Sequence, residues 1–342
     1  MRTALGLMLV AVPLLSFPSQ SSALDQLDVP VVGQWYMPLR DRPVVLVSAA
    51  WGVEQAADVR DGAGSLERSG GFAGISTRVW RDAQSEVRLR ATGVDVRLDG
   101  DAQLPHSGVL PDRLQDLRLG GFWRRVSASG AIFGLDGEVS SPSDRPYSGG
   151  EVIAESATAF ARLPTTGMDA WILSLRYDST STLAPGIPLP GIGYQWLRPG
   201  LMATVGLPFA MVLWRPIDDW SLAASYFPID TGSITVSWAP GTPAAMPGPG
   251  QAPWSLSAGA SVNYENWLLA DRTDRDDRLT FRTVKAFLSS EWHPVPGSSL
   301  RLTAGRILLR EVYFADKWSD RSDDRLFTDP AWYASAGLQF GF

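Results

Sequence analysis

The side chains able to do chemistry in this 342-residue chain are few, since it holds two histidines, His106 and His293, and no cysteine. Hydrolysis by a hydroxyl nucleophile needs a serine, an imidazole and a group that orients the imidazole. His106-Ser107 is a bare dipeptide in a proline-bounded loop, and His293 precedes Pro294 in a tight turn. The acid pairs Asp276-Asp277 and Asp323-Asp324 would supply one half of a protease site built from an Asp pair and an Asp-His pair, yet arginines are interleaved with them and no Asp-His dipeptide accompanies them. These stretches also lack the spaced Asp, Gly and Glu of a calcium loop. They read as solvated loop surface whose arginines can meet phosphate groups. Without cysteine, and with two isolated histidines, a site of Cys and His metal ligands is not expected. Gly70-Gly71 and Gly149-Gly150 have no phosphate-loop context. The sequence thus predicts no catalytic residue, metal, cofactor or nucleic-acid partner.

What remains is ionic chemistry on strand faces. In segments that alternate strictly, the face opposite the apolar one carries Arg88, Arg90, Arg97, Arg118, Arg176 and Lys285 against Asp95, Glu265 and Glu291. Residues two apart in a strand share a face. If that face lines a water-filled passage, the basic excess predicts a mild preference for anions, weakened at high salt.

The elements carrying these charges are strands. From Trp254, the apolar series Trp254, Leu256, Ala258, Ala260, Val262, Tyr264 interleaves with Ser255, Ser257, Gly259, Ser261, Asn263, Glu265. Trp171, Leu173, Leu175, Tyr177 and Leu117, Leu119, Gly121, Trp123 alternate likewise. Aromatic rings at both ends of an apolar face suit a strand crossing a bilayer, where amphipathic rings settle at the two interfaces. Two phase slips, one beside Gly93 and one near Gly305, predict β-bulges, which help a sheet to curve. The apolar stretch Leu201 to Trp214 contains Pro208 and reads as strands rather than helix. Prolines flank a tryptophan-bearing strand three times, at Pro190-Trp196-Pro199, Pro208-Trp214-Pro216 and Pro228-Trp238-Pro240, with an echo at Pro30, Trp35 and Pro38. Proline is excluded from the middle of a ladder, so the pattern predicts an antiparallel meander.

Composition fixes the class. The chain has 33 glycines, 25 prolines and 14 tryptophans, is 45% hydrophobic and 19% charged, and bears a net charge of −6. This is too apolar for disorder and too rich in turn residues for a helical protein. Arg2, the apolar run Ala4 to Phe17 and the small polar stretch ending at Ala23 form a secretory signal peptide. Cleavage after Ala23 predicts a signal segment 1–23 and a single barrel unit 24–342.

The C-terminus places Trp332, Ala334, Ala336, Leu338, Phe340 and Phe342 on one face. This resembles the closing strand of bacterial outer-membrane β-barrels, whose terminal aromatic is part of the signal read by the barrel-assembly machinery; Phe340 and Phe342 are the residues concerned. The stretch Pro188 to Pro240, with Gly-Leu-Pro-Phe at 206–209 and Trp-Arg-Pro at 214–216, is similar to an outer-membrane barrel family defined only as a domain of unknown function. The resemblance implies an all-β, single antiparallel transmembrane barrel in the outer membrane of a Gram-negative cell, in contact with lipids and lipopolysaccharide. Strand signals number 12 to 16, with 14 as the central value. The acidic segments Asp271 to Arg278 and Ala315 to Arg325 are expected outside. The connector Pro240 to Pro253 falls on the periplasmic side, as a plug, a loop or the sign of a miscounted strand. A passive, porin-like pore or small-solute channel is the leading function, a non-conducting structural or adhesion barrel the alternative. A barrel lipase or protease is less supported, for want of an Asn-His-Ser or Asp-His constellation.

Overall fold

Alternation at period 2 gives every strand two unlike faces, and the hydrogen-bonded ladder then joins strand to strand until the last meets the first. The computed structural model describes residues 43–60, 64–105, 108–181, 185–227, 231–243, 252–272, 277–315 and 324–342. The expected signal segment 1–23, the Pro30–Pro38 echo, His106-Ser107, Asp276 and Asp323 lie outside these residues. In chain order the strands are β1 Val45–Arg60, β2 Ser65–Arg81, β3 Ser85–Gly100, β4 Arg113–Val126, β5 Ile132–Ser140, β6 Ala154–Pro164, β7 Ala170–Asp178 and β8 Leu189–Arg198. They continue as β9 Leu201–Leu207, β10 Ala210–Ile217, β11 Trp220–Phe227, β12 Thr231–Trp238, β13 Trp254–Trp267, β14 Arg278–Trp292 and β15 Ser298–Ala315. The closing strand β16 is broken into Arg325–Thr328 and Ala331–Gly341, both paired with β15 and β1.

Each strand pairs antiparallel with its neighbours in sequence, and β16 pairs with β1, so the sixteen strands form a closed barrel with no free edge. The count lies within the expected range and two above its central value. Short strands account for the difference: β9 to β12 have 7 or 8 residues, and residues 199–200, 208–209 and 218–219 are the whole of three links. The run Leu201 to Trp214 is indeed two strands. Four strands follow residue 253, so the connector at 239–253 leaves from the end that holds Val45 and Phe342, here called the terminal end, and its placement needs no missing strand.

The slip near Gly305 is a bulge, because the β14–β15 register jumps from Val284↔Leu309 to Lys285↔Ile307 and leaves Leu308 unpaired. The slip beside Gly93 is not. The ladder runs unbroken through Ala73↔Gly93 and Gly93↔Leu117. What changes there is the environment. Below Gly93, Val87 and Leu89 face outward as an apolar surface; above it Val94, Val96 and Leu98 face inward and are buried. They join Val59, Leu66, Leu114, Trp267, Leu279, Phe281, Val312 and Leu326 in one apolar core. The distal parts of β1–β4 and β13–β16 thus close on each other as a packed head, which also takes in Leu104 of the short hairpin Gln103–Leu104/Gly108–Val109.

Nine of the 14 tryptophans, Trp80, Trp123, Trp171, Trp196, Trp214, Trp220, Trp238, Trp254 and Trp292, sit near the terminal ends of their strands on the outer face. Trp238 and Trp254 meet edge to face at 5.1 Å, as do Trp171 and Tyr194 at 5.0 Å. Above this girdle the outer face is apolar for about six residue steps on β7 and β11, to Tyr177 and Tyr226, and about ten on β13 and β16. At about 3.3 Å per residue and a tilt of about 40° these runs stand roughly 15 Å and 25 Å tall.

The seam is closed by the last residue. The Phe342 carbonyl accepts the Val45 N–H at 3.2 Å, and its own N–H donates to the Val45 carbonyl at 2.9 Å. Deleting Phe342 removes these bonds together with the terminal ring. The barrel with Phe342 removed is expected to show a smaller population migrating faster before boiling than after, with export unchanged; equal amounts of heat-modifiable protein with and without Phe342 would contradict it.

Candidate functional site

Seven of the nine charges picked out from alternation, Arg88, Arg90, Arg118, Arg176, Glu265, Lys285 and Glu291, stand on the inner face of the barrel. Asp95 and Arg97 do not. They lie on the distal part of β3, where the apolar side chains have turned inward, so their side chains face outward; Arg97 is 62% exposed and Asp95 pairs with Arg113 at 2.5 Å. The assumption that the apolar side of a strand is always the outer side fails where the strand leaves the membrane and enters the packed head.

The inner charges fall into tiers along the axis. Toward the terminal end, Arg88 and Arg124 flank Glu86 at 3.1 Å and 3.5 Å, and Arg301 donates to Glu291 at 2.8 Å. Arg162 donates to the Gln195 amide oxygen at 2.8 Å, and Arg215 to the carbonyl of Pro243 at 3.1 Å. At mid-height Arg90 grips Asp136 at 2.6 Å and Glu138 at 3.0 Å, while Arg118 donates to Asp116 at 2.5 Å. Gly120 makes room for this tier, because a Cβ there would lie 2.9 Å from the Arg90 guanidinium. Toward the distal end Glu54 receives Lys285 at 3.3 Å and Arg310, and Arg68 crosses from β2 to Glu265 on β13. The Lys285 ammonium also lies 5.0 Å from the Tyr333 ring centroid.

The Lys285 and Glu54 side chains are essentially inaccessible, so each charge depends on the other for the solvation it has lost. Alternation alone left Glu54, Arg68, Glu86, Asp116, Asp136, Glu138 and Arg310 unassigned. A signal for several of them was present: Glu86 precedes Arg88, and Asp116 precedes Arg118, by the two residues that put side chains on one strand face. Glu54 offers no such mark, because its partners lie on β14 and β15.

Between the tiers the lumen is uneven. Over β11 to β13 the inner face is mostly short: Ser221, Ser225, Ser233, Thr235, Ser237, Ser255, Ser257, Gly259 and Ser261. Ser225 bonds Ser233 at 2.9 Å, and Ser237 bonds Ser257 at 2.8 Å. Against β4 to β7 the inner face carries an apolar cluster of Phe122, Ile132, Phe160, Ile172 and Phe209, with Phe227 packed on it, here called the waist. Distal to the waist lies a polar cavity of about 140 Å³ lined by Asp116, Arg118, Glu138, Arg176, Asp178 and Glu265 among others. Arg176 forms part of its floor, 4.8 Å from the Phe227 ring centroid. Over the distal end, the loop after β5 meets the loop after β13: the Leu268 N–H donates to the Pro142 carbonyl at 2.7 Å and the Ala270 N–H to Asp144 at 2.8 Å.

His293 stands in the β14–β15 turn with its Nδ1 3.2 Å from the Ser298 carbonyl, whereas the Ser298 hydroxyl donates to the Val295 carbonyl. Among the described residues no three His, Cys, Asp or Glu side chains are grouped to hold a metal ion.

Fold and interior together define a transmembrane β-barrel with a charged, partly filled lumen. No known protein family matches the chain, and no curated protein does. Among solved structures it is similar to an outer-membrane channel of Pseudomonas putida F1, at 9% identity and a TM-score of 0.40, over 88% of this chain and 96% of that one. It is also similar to the toluene transporter TodX of P. putida, at 10% identity and a TM-score of 0.39, over 93% and 94%. The translocator domain of the autotransporter NalP from Neisseria meningitidis follows at 10% and 0.34, over 89% and 90%. These are likenesses of a general kind; the barrel is established by its own ladder.

Replacing Glu54 with Ala leaves Lys285 and Arg310 buried against each other, and loss of one partner of such a cluster costs about 3–5 kcal/mol. Urea unfolding in lipid vesicles is expected to show the Glu54→Ala midpoint well below that of the parent. A comparable substitution at Asp95, on the outer face, is expected to leave the midpoint nearly unchanged.

Proposed function

We propose that the chain is a passive channel of the bacterial outer membrane, with its terminal end in the periplasm, admitting small polar solutes with a preference for anions. The observation that carries this reading is the short hydroxyl lining of β11 to β13 opposite a charged wall on β3 to β5. A wall of serine and threonine leaves space for water and offers it hydrogen bonds, whereas a barrel closed for structural purposes has every reason to fill that space with bulk. Anion preference follows from the terminal-end tier, where Arg88, Arg124, Arg162, Arg215 and Arg301 face inward with Glu86 and Glu291. The tiers above are more nearly balanced. On this reading the apolar waist is the narrow point, and apolar constrictions resist wetting. The barrel-assembly machinery and lipopolysaccharide are the partners implied by the terminal aromatic strand and the arginine-bearing distal loops.

A second reading, a non-conducting structural barrel, is favoured by the interlocked Glu54, Lys285 and Arg310 cluster and the packed distal head.

Planar bilayer recording decides between them. Discrete single-channel currents are expected, with a reversal potential under a salt gradient on the anion side that moves toward zero as salt rises. Arg162→Glu together with Arg215→Glu is expected to lower the anion preference by about twofold or more, since each exchange reverses a charge at the mouth. Phe160→Ala is expected to raise conductance by widening the waist. No current from heat-modifiable protein would reject the channel in favour of the structural barrel.

A further inference from the structure

The barrel wall is cut low on one side, and the polar cavity stands behind the cut. Strands β9 to β12 stop after 7 or 8 residues, and their outer face stays apolar up to the rim: Val205 and Leu207 on β9, Ala210 and Val212 on β10, Ala224 and Tyr226 on β11. Leu207, at the rim, is 76% exposed. On the tall strands, β1 to β4 and β13 to β16, a polar collar separates the apolar belt from the distal opening. On β3 that collar is Asp95 and Arg97, and on β14 it begins at Arg282. Among the described residues β9 to β12 have none, so the rim lies where acyl chains give way to headgroups.

The cavity occupies the corresponding position inside. Its walls come from β4 to β7 on one flank of the short wall and from β13 on the other, and Arg176 of its lining lies over Phe227, the last residue of β11, which packs with Phe209 of the rim in the apolar cluster beneath. The lining alternates in sign over short distances: Asp116 and Glu138 beside Arg118, Asp178 beside Arg176 at 3.1 Å. A purely anionic or cationic group entering there meets a like charge next to its partner. A zwitterionic group can set each of its charges beside an opposite one.

We propose that this cavity takes the polar head of a single-chain zwitterionic amphiphile from the outer leaflet, which enters sideways over the β9–β12 rim while its tail remains against Leu207 and Tyr226. The proposal requires the distal end to face outward but does not require the barrel to conduct.

The test uses the full chain in phospholipid nanodiscs with a lysophosphatidylcholine analogue carrying a diazirine next to its headgroup, followed by irradiation and peptide mapping. Adducts are expected on the cavity segments 174–181 and 263–267, in addition to those on the outer belt. Arg176→Gln is expected to reduce the cavity adducts about tenfold, the scale of one lost charge-assisted contact, and to leave the belt adducts unchanged. Leu207→Glu, which adds a charged collar at the rim, is expected to do the same without touching the cavity. Heat-modifiable migration certifies that each variant has folded, and Asp178→Asn, which removes the opposite charge from the same wall, stands in should Arg176→Gln fail to fold and is expected to reduce the cavity adducts likewise. Adducts confined to the outer belt in the parent would overturn the proposal, as would equal cavity labelling by single-chain analogues with purely anionic or purely cationic heads. Because the readout is covalent labelling, its failure is separable from the absence of current.

Discussion

Everything in this barrel depends on the requirement that no backbone N–H or C=O be left facing lipid. An open sheet cannot meet it, so β16 must return to β1, and the closure rests on a continuous register from Leu46↔Gly341 to Glu54↔Tyr333. Once the ladder is closed, each strand has one face toward lipid and one toward the lumen, and a single residue of slip would exchange them. The bulge at Leu308 shows how the register is adjusted locally: Ile307 is kept inward and Arg310 is brought round to Glu54 on the inner face. Outer belt and inner ion pairs are therefore settled by the same geometric choice.

The interior solves two problems with two materials. In the distal head, where eight strands run beyond the belt, the sheet folds on itself and fills with valine, leucine and phenylalanine, as in a water-soluble sandwich. At the level of the belt the inner face is polar, and its arginines are answered by carboxylates on the same strand, as with Arg118 and Asp116, on an adjacent strand, as with Arg301 and Glu291, or several strands away, as with Arg68 and Glu265. Pairs of the last kind hold opposite walls at a fixed separation. Their contribution to net stability is small beside the cost of breaking them, because each partner has already given up its water.

Much of the fold was legible because period 2 is a strong signal when a strand separates two unlike media. The faces of β7, β13 and β16 could be read directly, down to Trp332 and Phe342 on the outer side. The head was less legible: an apolar residue there marks the inside, the reverse of its meaning in the belt, and Val94, Val96 and Leu98 therefore imitated a bulge. Asp95 and Arg97 were assigned to the lumen for the same reason. The charge clusters were legible only as individual charges. Pairing across the barrel joins positions such as Glu54 and Lys285 that are separated by most of the chain, and nothing local records the distance.

The tryptophan girdle has a mechanical consequence. Indole rings prefer the interface, and nine of them ring the terminal end at nearly one level, with Trp238 against Trp254 and Trp171 and Trp196 against Tyr194. Among the described residues the opposite rim carries fewer aromatic rings, Tyr177, Tyr226, Tyr264 and Trp332, and rises to different heights around the circumference. The molecule is thus moored at one level on the first surface and at several on the other, like a pile driven to a fixed depth. A change in bilayer thickness leaves the moored leaflet in place and is taken up wholly by the far one, most sharply beside the short strands.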